Sequence, residues 1–209
     1  MALAVLASAA SAQTVQDGNF EAADPTQTTQ TDYFATGTGF DTNWTVTGEV
    51  GIDNQDIYVF NGNKSLFLNS GIGTDTITQN IATDPTQLYT LSFFANDNVP
   101  GDQLFASFGG TMLAPITVAA NGYNGPAPGN NGLFTEYVFS GLTTASAFSA
   151  LSLSSVGSLS SGTLEVDDIN VTSSPVPETS TSVSLGLLLL LGAGAVVVAA
   201  KKKSASIAA

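Results

Sequence analysis

The sequence predicts an all-β fold, an antiparallel jelly-roll β-sandwich, followed by a single C-terminal transmembrane helix. Three features carry that expectation. From residue 14 to residue 172 apolar side chains recur with period 2, which puts them on one face of a strand. Clusters of Gly, Asn, Asp and Pro interrupt these runs at short intervals, and no segment before Thr181 sustains a helical period. Val183 to Ala200 then runs without a charge, with Ser184 as its only hydroxyl residue. A spanning helix needs about 20 mostly apolar residues, and about 17 suffice.

The opening "MALAVLASAASAQT" has a short apolar stretch and then Ala10-Ser11-Ala12, a small-x-small pattern. Residues 1–12 therefore read as a signal peptide cut before Gln13, although the basic flank of such a leader is missing. Residues 13–172 form the sandwich domain. In "NWTVTGEV" Trp44 and Val46 share a face; in "KSLFLNS" Leu66 and Leu68 do. "DTITQNIAT" groups Ile77, Gln79 and Ile81, and "QLYTLSFFA" groups Tyr89, Leu91 and Phe93. Further strands are expected in "DQLFASFGG", "APITVAA", "LFTEYVFSG", "SAFSALSLSS" and "GTLEVDDINVT". Eight to ten short strands with such turns suit a sandwich. Residues 173–182, "SSPVPETSTS", read as a linker, extended at its prolines. The helix at 183–200 carries five consecutive leucines, Leu187 to Leu191, so it is apolar all round and can satisfy its backbone in lipid. Lys201, Lys202 and Lys203 open a basic tail, residues 201–209, that stays on the cytoplasmic side and leaves the domain outside.

Composition limits the chemistry. The 209 residues contain no cysteine, no histidine and no arginine. No disulfide or thiolate metal site is possible, and the usual general base is missing. Lys64 is the only basic side chain before Lys201, while all 17 acidic residues precede the apolar run. That balance repels phosphate backbones and excludes nucleic acid as a partner; it also attracts divalent cations. Ser and Thr are plentiful, but without histidine no standard nucleophilic triad can be built.

Several residues are candidates for a ligand face. Trp44, the only tryptophan, would stack on a sugar ring if exposed, but its alternation with Val46 favours the core. Tyr58, Phe60, Tyr123 and Tyr137 are the other aromatics to place on a concave face or its rim. Asp167 and Asp168 are adjacent, so a regular strand points them to opposite faces. Glu165 and Asp167 share a face, about 6–7 Å apart along the strand, a spacing that a glycosidase pair could use. No pattern around them marks a nucleophile, and closely spaced acids are common in so acidic a chain.

Two resemblances follow from these residues. Val176-Pro177-Glu178-Thr179-Ser180, an apolar helix and a basic cluster together resemble the PEP-CTERM sorting signal, with threonine in place of its second proline. The resemblance implies processing by an exosortase, an integral-membrane cysteine protease, in bacteria that make extracellular polysaccharide. The motif also shares Pro and Thr with the sortase signal Leu-Pro-x-Thr-Gly but lacks its Leu and Gly. A lipid anchor attached near Ser173-Ser174 is a third possibility, against which the terminal lysines argue. The domain resembles, in the order of "VQDGNFEA", "WTVTGEVGI", "GNKSLFLNSG", "TITQNIAT", "YTLSFFA" and "GTLEVDDINV", the galactose-binding-like jelly rolls of carbohydrate-binding modules. That resemblance implies a non-catalytic domain associated with extracellular polysaccharide, at the cell surface or in the matrix. It also implies a structural calcium tying the first strand to the last, with Glu21 and Asp168 at the matching positions; no organic cofactor is implied. A small secreted glycoside hydrolase or lyase on the same fold is the alternative.

Overall fold

The computed structural model describes residues 15–23, 31–37, 41–55, 58–68, 73–97, 102–113, 115–119, 134–157 and 164–176. The described strands are β1 (Thr31–Ala35), β2 (Thr45–Thr47), β3 (Glu49–Asp53), β4 (Ser65–Leu68), β5 (Gly73–Ala82) and β6 (Gln87–Asp97). They continue as β7 (Gln103–Phe108), β8 (Thr111–Met112), β9 (Ile116–Thr117), β10 (Thr135–Leu142), β11 (Phe148–Gly157) and β12 (Leu164–Pro175). Every pairing is antiparallel. One sheet runs β1-β3-β4-β12-β6-β10; the other runs β2-β5-β11-β7-β8, with β9 also on β7. The all-β sandwich expected from period 2 is what forms, and no helix occurs among the described residues.

The core lies between the inner faces. Val50, Ile52, Leu66, Leu68, Leu91, Phe93, Leu164 and Val166 of the first sheet meet Ile77, Leu104, Phe108, Leu151 and Leu153 of the second, all fully buried. Each such side chain contributes about 1.5–3 kcal/mol by leaving water. Gln79 lies inward in phase with Ile77 and Ile81, as the alternation predicts. Its amide survives burial by clamping Gln16: Gln16 N donates to Oε1 and Nε2 donates to Gln16 O, both at 2.8 Å.

The segment before β1 hooks onto β12. Ile169 N donates to Gly18 O at 2.8 Å, and a Cβ on Gly18 would lie 2.0 Å from Ile169 O, so only glycine fits. Phe20 is then buried 6.0 Å from the Trp44 ring. This docking coincides with a bulge: the β12–β6 register shifts between Asp167 and Asn170, and Asp168 sits at φ 48°. The simple alternation expected for Asp167 and Asp168 therefore fails. A bulge, not a regular pleat, sets where Asp168 points.

The strand also runs further than the sequence suggests. Ser173, Ser174 and Pro175, assigned above to the linker, pair with Tyr89, Leu88 and Gln87. Proline ends the ladder because it has no N–H to give. The chain divides into Met1–Pro175 and Val176–Ala209. The signal peptide, Tyr123, the motif from Pro177 onward, the helix at 183–200 and Lys201–Lys203 lie outside the described residues. Among the described residues no helix is long and apolar enough to cross a membrane.

Candidate functional site

Alternation leaves each sheet an outer face. On the second sheet that face is uncharged across its centre. The registers put Thr45, Thr78, Ser152 and Ser107 side by side on β2, β5, β11 and β7. The neighbouring row is Thr47, Thr76, Ser154 and Phe105. At the β2 end the face opens into a depression of about 560 Å³, bordered by Gln16, Asn43, Thr45, Thr78, Asn80 and Phe148, with no charged residue in its lining. It exists because β2 stops at Thr45, opposite Thr78, while β5 continues to Ala82. Phe148 begins β11 and is 68% exposed. Met112 at the far edge, paired with Ser107, is 71% exposed.

The first sheet's outer face is acidic and covered. Glu165 pairs with Phe67 on one side and Asn96 on the other, and Asp53 pairs with Ser65. Asp53, Glu165 and Asp167 are all buried. Residues 58–64 cross over Asp167: Phe60 N and Asn61 N donate to Asp167 Oδ2 at 3.1 and 3.0 Å. Phe60 stacks on Phe94 with ring centroids 3.7 Å apart. Burial pushes the Asp167 carboxyl up to about 7, although the Asn61, Asp168 and Phe60 N–H groups oppose the shift. Burial raises Glu165 well above the usual range, with the Asp53 and Asp167 charges adding and the Ser65 hydroxyl opposing. Asp53 is raised by burial too, against N–H and O–H donors from Gln55 and Thr31.

Glu165 Oε2 accepts from Ser65 Oγ at 3.1 Å, whereas Oε1 and the Oδ1 of Asn96 opposite it are buried without a hydrogen-bond partner. Burial without a donor at Oε1 favours the neutral acid over the ionised one. Glu165 and Asp167 do share a face, as the sequence predicts. Both are inaccessible, so no substrate reaches them in this fold.

The candidate calcium residues both reach residues 58–64. Glu21 Oε1 accepts from Asn63 N (2.6 Å) and Lys64 N (3.0 Å), and Oε2 accepts from Asn63 Nδ2 (3.2 Å). Asp168 Oδ2 accepts from Asn61 Nδ2 at 3.2 Å. The hard oxygens suit calcium in type, but here every one of these contacts is to an N–H donor. No group of three or more acidic side chains among the described residues could hold a metal ion.

Of the candidate aromatics, Trp44 is 3% exposed and donates from Nε1 to Asp17 O, so it belongs to the core. Tyr137 is half-buried, 5.7 Å from Phe93, with its hydroxyl accepting from Ala119 N. Tyr58 is half-buried in the turn that begins the 58–64 cover. The exposed aromatic beside amides and hydroxyls is Phe148, which the sequence reading did not single out. Its signal was present: in "SAFSALSLSS" Phe148 is in phase with Ser152 and Ser154, out of phase with the buried Leu151 and Leu153.

The sequence matches no protein family and no curated protein. Solved structures are similar in fold. A carbohydrate-binding module solved with β-1,4-galactotriose, TmCBM61, superposes with TM-score 0.51 at 12% identity, covering 78% of this chain and 100% of that one. A cyclase from Fischerella sp. TAU in complex with 4-(1H-indol-3-yl)butan-2-one gives TM-score 0.53 at 15% identity, covering 80% and 99%. A xylan-binding domain of Paenibacillus barcinonensis Xyn10C gives 0.49 at 12% identity, covering 81% and 99%. The shared feature is the jelly-roll fold.

Proposed function

We propose that this domain is a non-catalytic polysaccharide-binding module that takes an uncharged glycan on the outer face of the second sheet. One observation carries the reading: Phe148 stands exposed beside the neutral amides and hydroxyls of Gln16, Asn43, Thr45 and Asn80. An aromatic face with a few polar groups around it is what a sugar ring needs. The galactotriose complex of a module with this fold supports the assignment. The full chain, kept in a detergent without a sugar headgroup, should bind neutral glycans on an array and release no reducing sugar. Reducing-sugar release that Glu165→Gln abolishes would instead make the domain a glycoside hydrolase or lyase.

The same reading places the protein outside the cell. Residues 1–12 direct export, Val176–Ser180 is the sorting motif read by an exosortase-like protease, and residues 183–200 with Lys201–Lys203 hold the chain in the membrane until cleavage. Cell-surface or matrix protein should then lack the Lys201–Lys203 peptide in mass spectrometry. Finding that peptide on most surface molecules would leave a plain membrane anchor. Calcium at Glu21 and Asp168 belongs to the proposal as well, an ion replacing the N–H contacts that these carboxylates now make.

A further inference from the structure

The row Thr45–Thr78–Ser152–Ser107 has a geometry of its own. It sets one hydroxyl on each of four neighbouring strands, in register and on one face. None of the four side chains is hydrogen-bonded to another described residue. Strands lie about 4.8 Å apart, so the row is about 14 Å long. Each step is close to the advance of one pyranose ring along an extended chain. Each hydroxyl donates one hydrogen bond and accepts two, so it can serve a sugar O–H in either sense.

We infer that this face holds the interior of an extended, uncharged polysaccharide running across the strands along Thr45, Thr78, Ser152 and Ser107. The inference rests on the binding function proposed above and adds the path, the length and the segment of polymer recognised. Thr45 and Thr78 border both the depression and the row, so a chain on the row passes the mouth of the depression, while Phe148, four residues before Ser152 on β11, stands about 13 Å to one side as a contact for a branch or a neighbouring residue of the polymer. The row is far longer than one ring, which selects a polymer over a monosaccharide. It runs out at both sheet edges, β2 at one side and Ser107–Met112 at the other, with the exposed Met112 offering apolar surface to the last ring. A site open at both edges accepts a chain interior. Strands twist by about 20–25° per step, so four strands turn through about 60–75°. A single flexible chain follows that twist, whereas a rigid crystalline surface would meet only part of the row.

Calorimetric titration of the full chain with β-1,4-linked galacto-oligosaccharides and cello-oligosaccharides, from disaccharide to hexasaccharide, tests this. Affinity should climb up to the tetrasaccharide or pentasaccharide and then level off. Ser152→Ala with Ser107→Ala should lower the tetrasaccharide-to-disaccharide affinity ratio about tenfold, as two hydrogen bonds of ordinary worth would. An unchanged melting temperature confirms that the variant is folded; if it is not, Thr45→Val on the exposed edge strand replaces it. A disaccharide that binds as tightly as the hexasaccharide overturns the path. So does a tetrasaccharide ratio untouched by the double change while Phe148→Ala abolishes binding, and in that case the depression alone is the site. Tighter binding to insoluble crystalline polymer than to soluble hexasaccharide also overturns it. Failure of every oligosaccharide to bind the wild type removes the binding function itself.

Discussion

The outer face of the first sheet holds Asp53, Glu165 and Asp167 buried, with residues 58–64 over Asp167, whereas the outer face of the second holds Thr45 exposed and Thr78, Ser152 and Ser107 half-buried. Both faces come from the same alternation, with polar residues in phase opposite to the core. They differ in what lies above them. Covering the first face removes water from its carboxylates, and burial drives them toward the neutral acid. Leaving the second face bare keeps its hydroxyls unspent. A chain with formal net charge −13 thus presents an uncharged depression on the second sheet, with its acids buried or placed elsewhere. Net charge alone suggests a cationic ligand; the uncharged depression is the ground for proposing a neutral one.

The sharpest separation of inner from outer is between two aromatics. Trp44→Ala should cost about 3–5 kcal/mol of stability, since it empties the pocket beside Phe20 and strips a buried N–H partner from Asp17 O. Phe148→Ala should leave stability within about 0.5 kcal/mol and weaken glycan binding about ten- to a hundredfold. Denaturant melts and titrations on both variants read this directly. A Phe148→Ala protein that binds normally would move the site off the second sheet.

The first sheet should betray its buried acids through pH. Asp167 titrates near 7 in the fold and near 4 in the unfolded chain, so between these values the native state holds more protons. Its contribution to stability is therefore full below about pH 4 and is lost as pH rises to about 7. The loss is on the order of 4 kcal/mol for this group. Glu165, raised further, extends the loss to higher pH. The melting temperature should be higher at pH 5 than at pH 8. Glu165→Gln should flatten the profile and stabilise the protein at pH 8, because an amide accepts from Ser65 without burying a charge. A profile flat from pH 5 to pH 8 would mean that the acids are solvated and the cover is loose.

Much of this was legible in the residues. Trp44 with Val46, Ile77 with Ile81, and Tyr89 with Leu91 and Phe93 follow period 2, and the core keeps that phase. The unread parts depend on contacts between distant segments. The bulge at Asp168 exists because Gly18 docks there, about 150 residues earlier in sequence, and alternation within β12 cannot announce it. Glu165 reads as a surface acid in its strand; its burial comes from segments distant in sequence, Ser65, Phe67 and Asn96 among them. Pro175 reads as a linker residue until Gln87 is found opposite. Phe148 was readable from its phase with Ser152 and Ser154, opposite to Leu151 and Leu153.

The smallest effect concerns the cover itself. Residues 58–64 are held at Phe60 and Asn61 by Asp167 and at Asn63 and Lys64 by Glu21. The Lys64 ammonium adds a bond to Ala23 O. Gly62 closes the turn at φ 83°, where a Cβ would strike Glu21 Oε1. Charge-assisted hydrogen bonds are worth about 1.5–3 kcal/mol each at most, and these are partly exposed. Glu21→Gln should therefore cost about 1–2 kcal/mol, because a neutral acceptor replaces a charged one and its amide N–H faces other N–H groups. Loosening the clamp should also let water reach Asp167, so the step in the pH–stability profile should shrink and shift toward lower pH. Calcium enters at this point. An ion bound at Glu21 and Asp168 would add stability that grows with the logarithm of its concentration above the dissociation constant. Chelation should then lower the melting temperature of the wild type, and the Glu21→Gln and Asp168→Asn variants should not respond. Identical wild-type melts with calcium and with chelator would remove the ion and leave Glu21 as a metal-free clamp. The cover would then rest on N–H donors and the Phe60–Phe94 stack, without a metal.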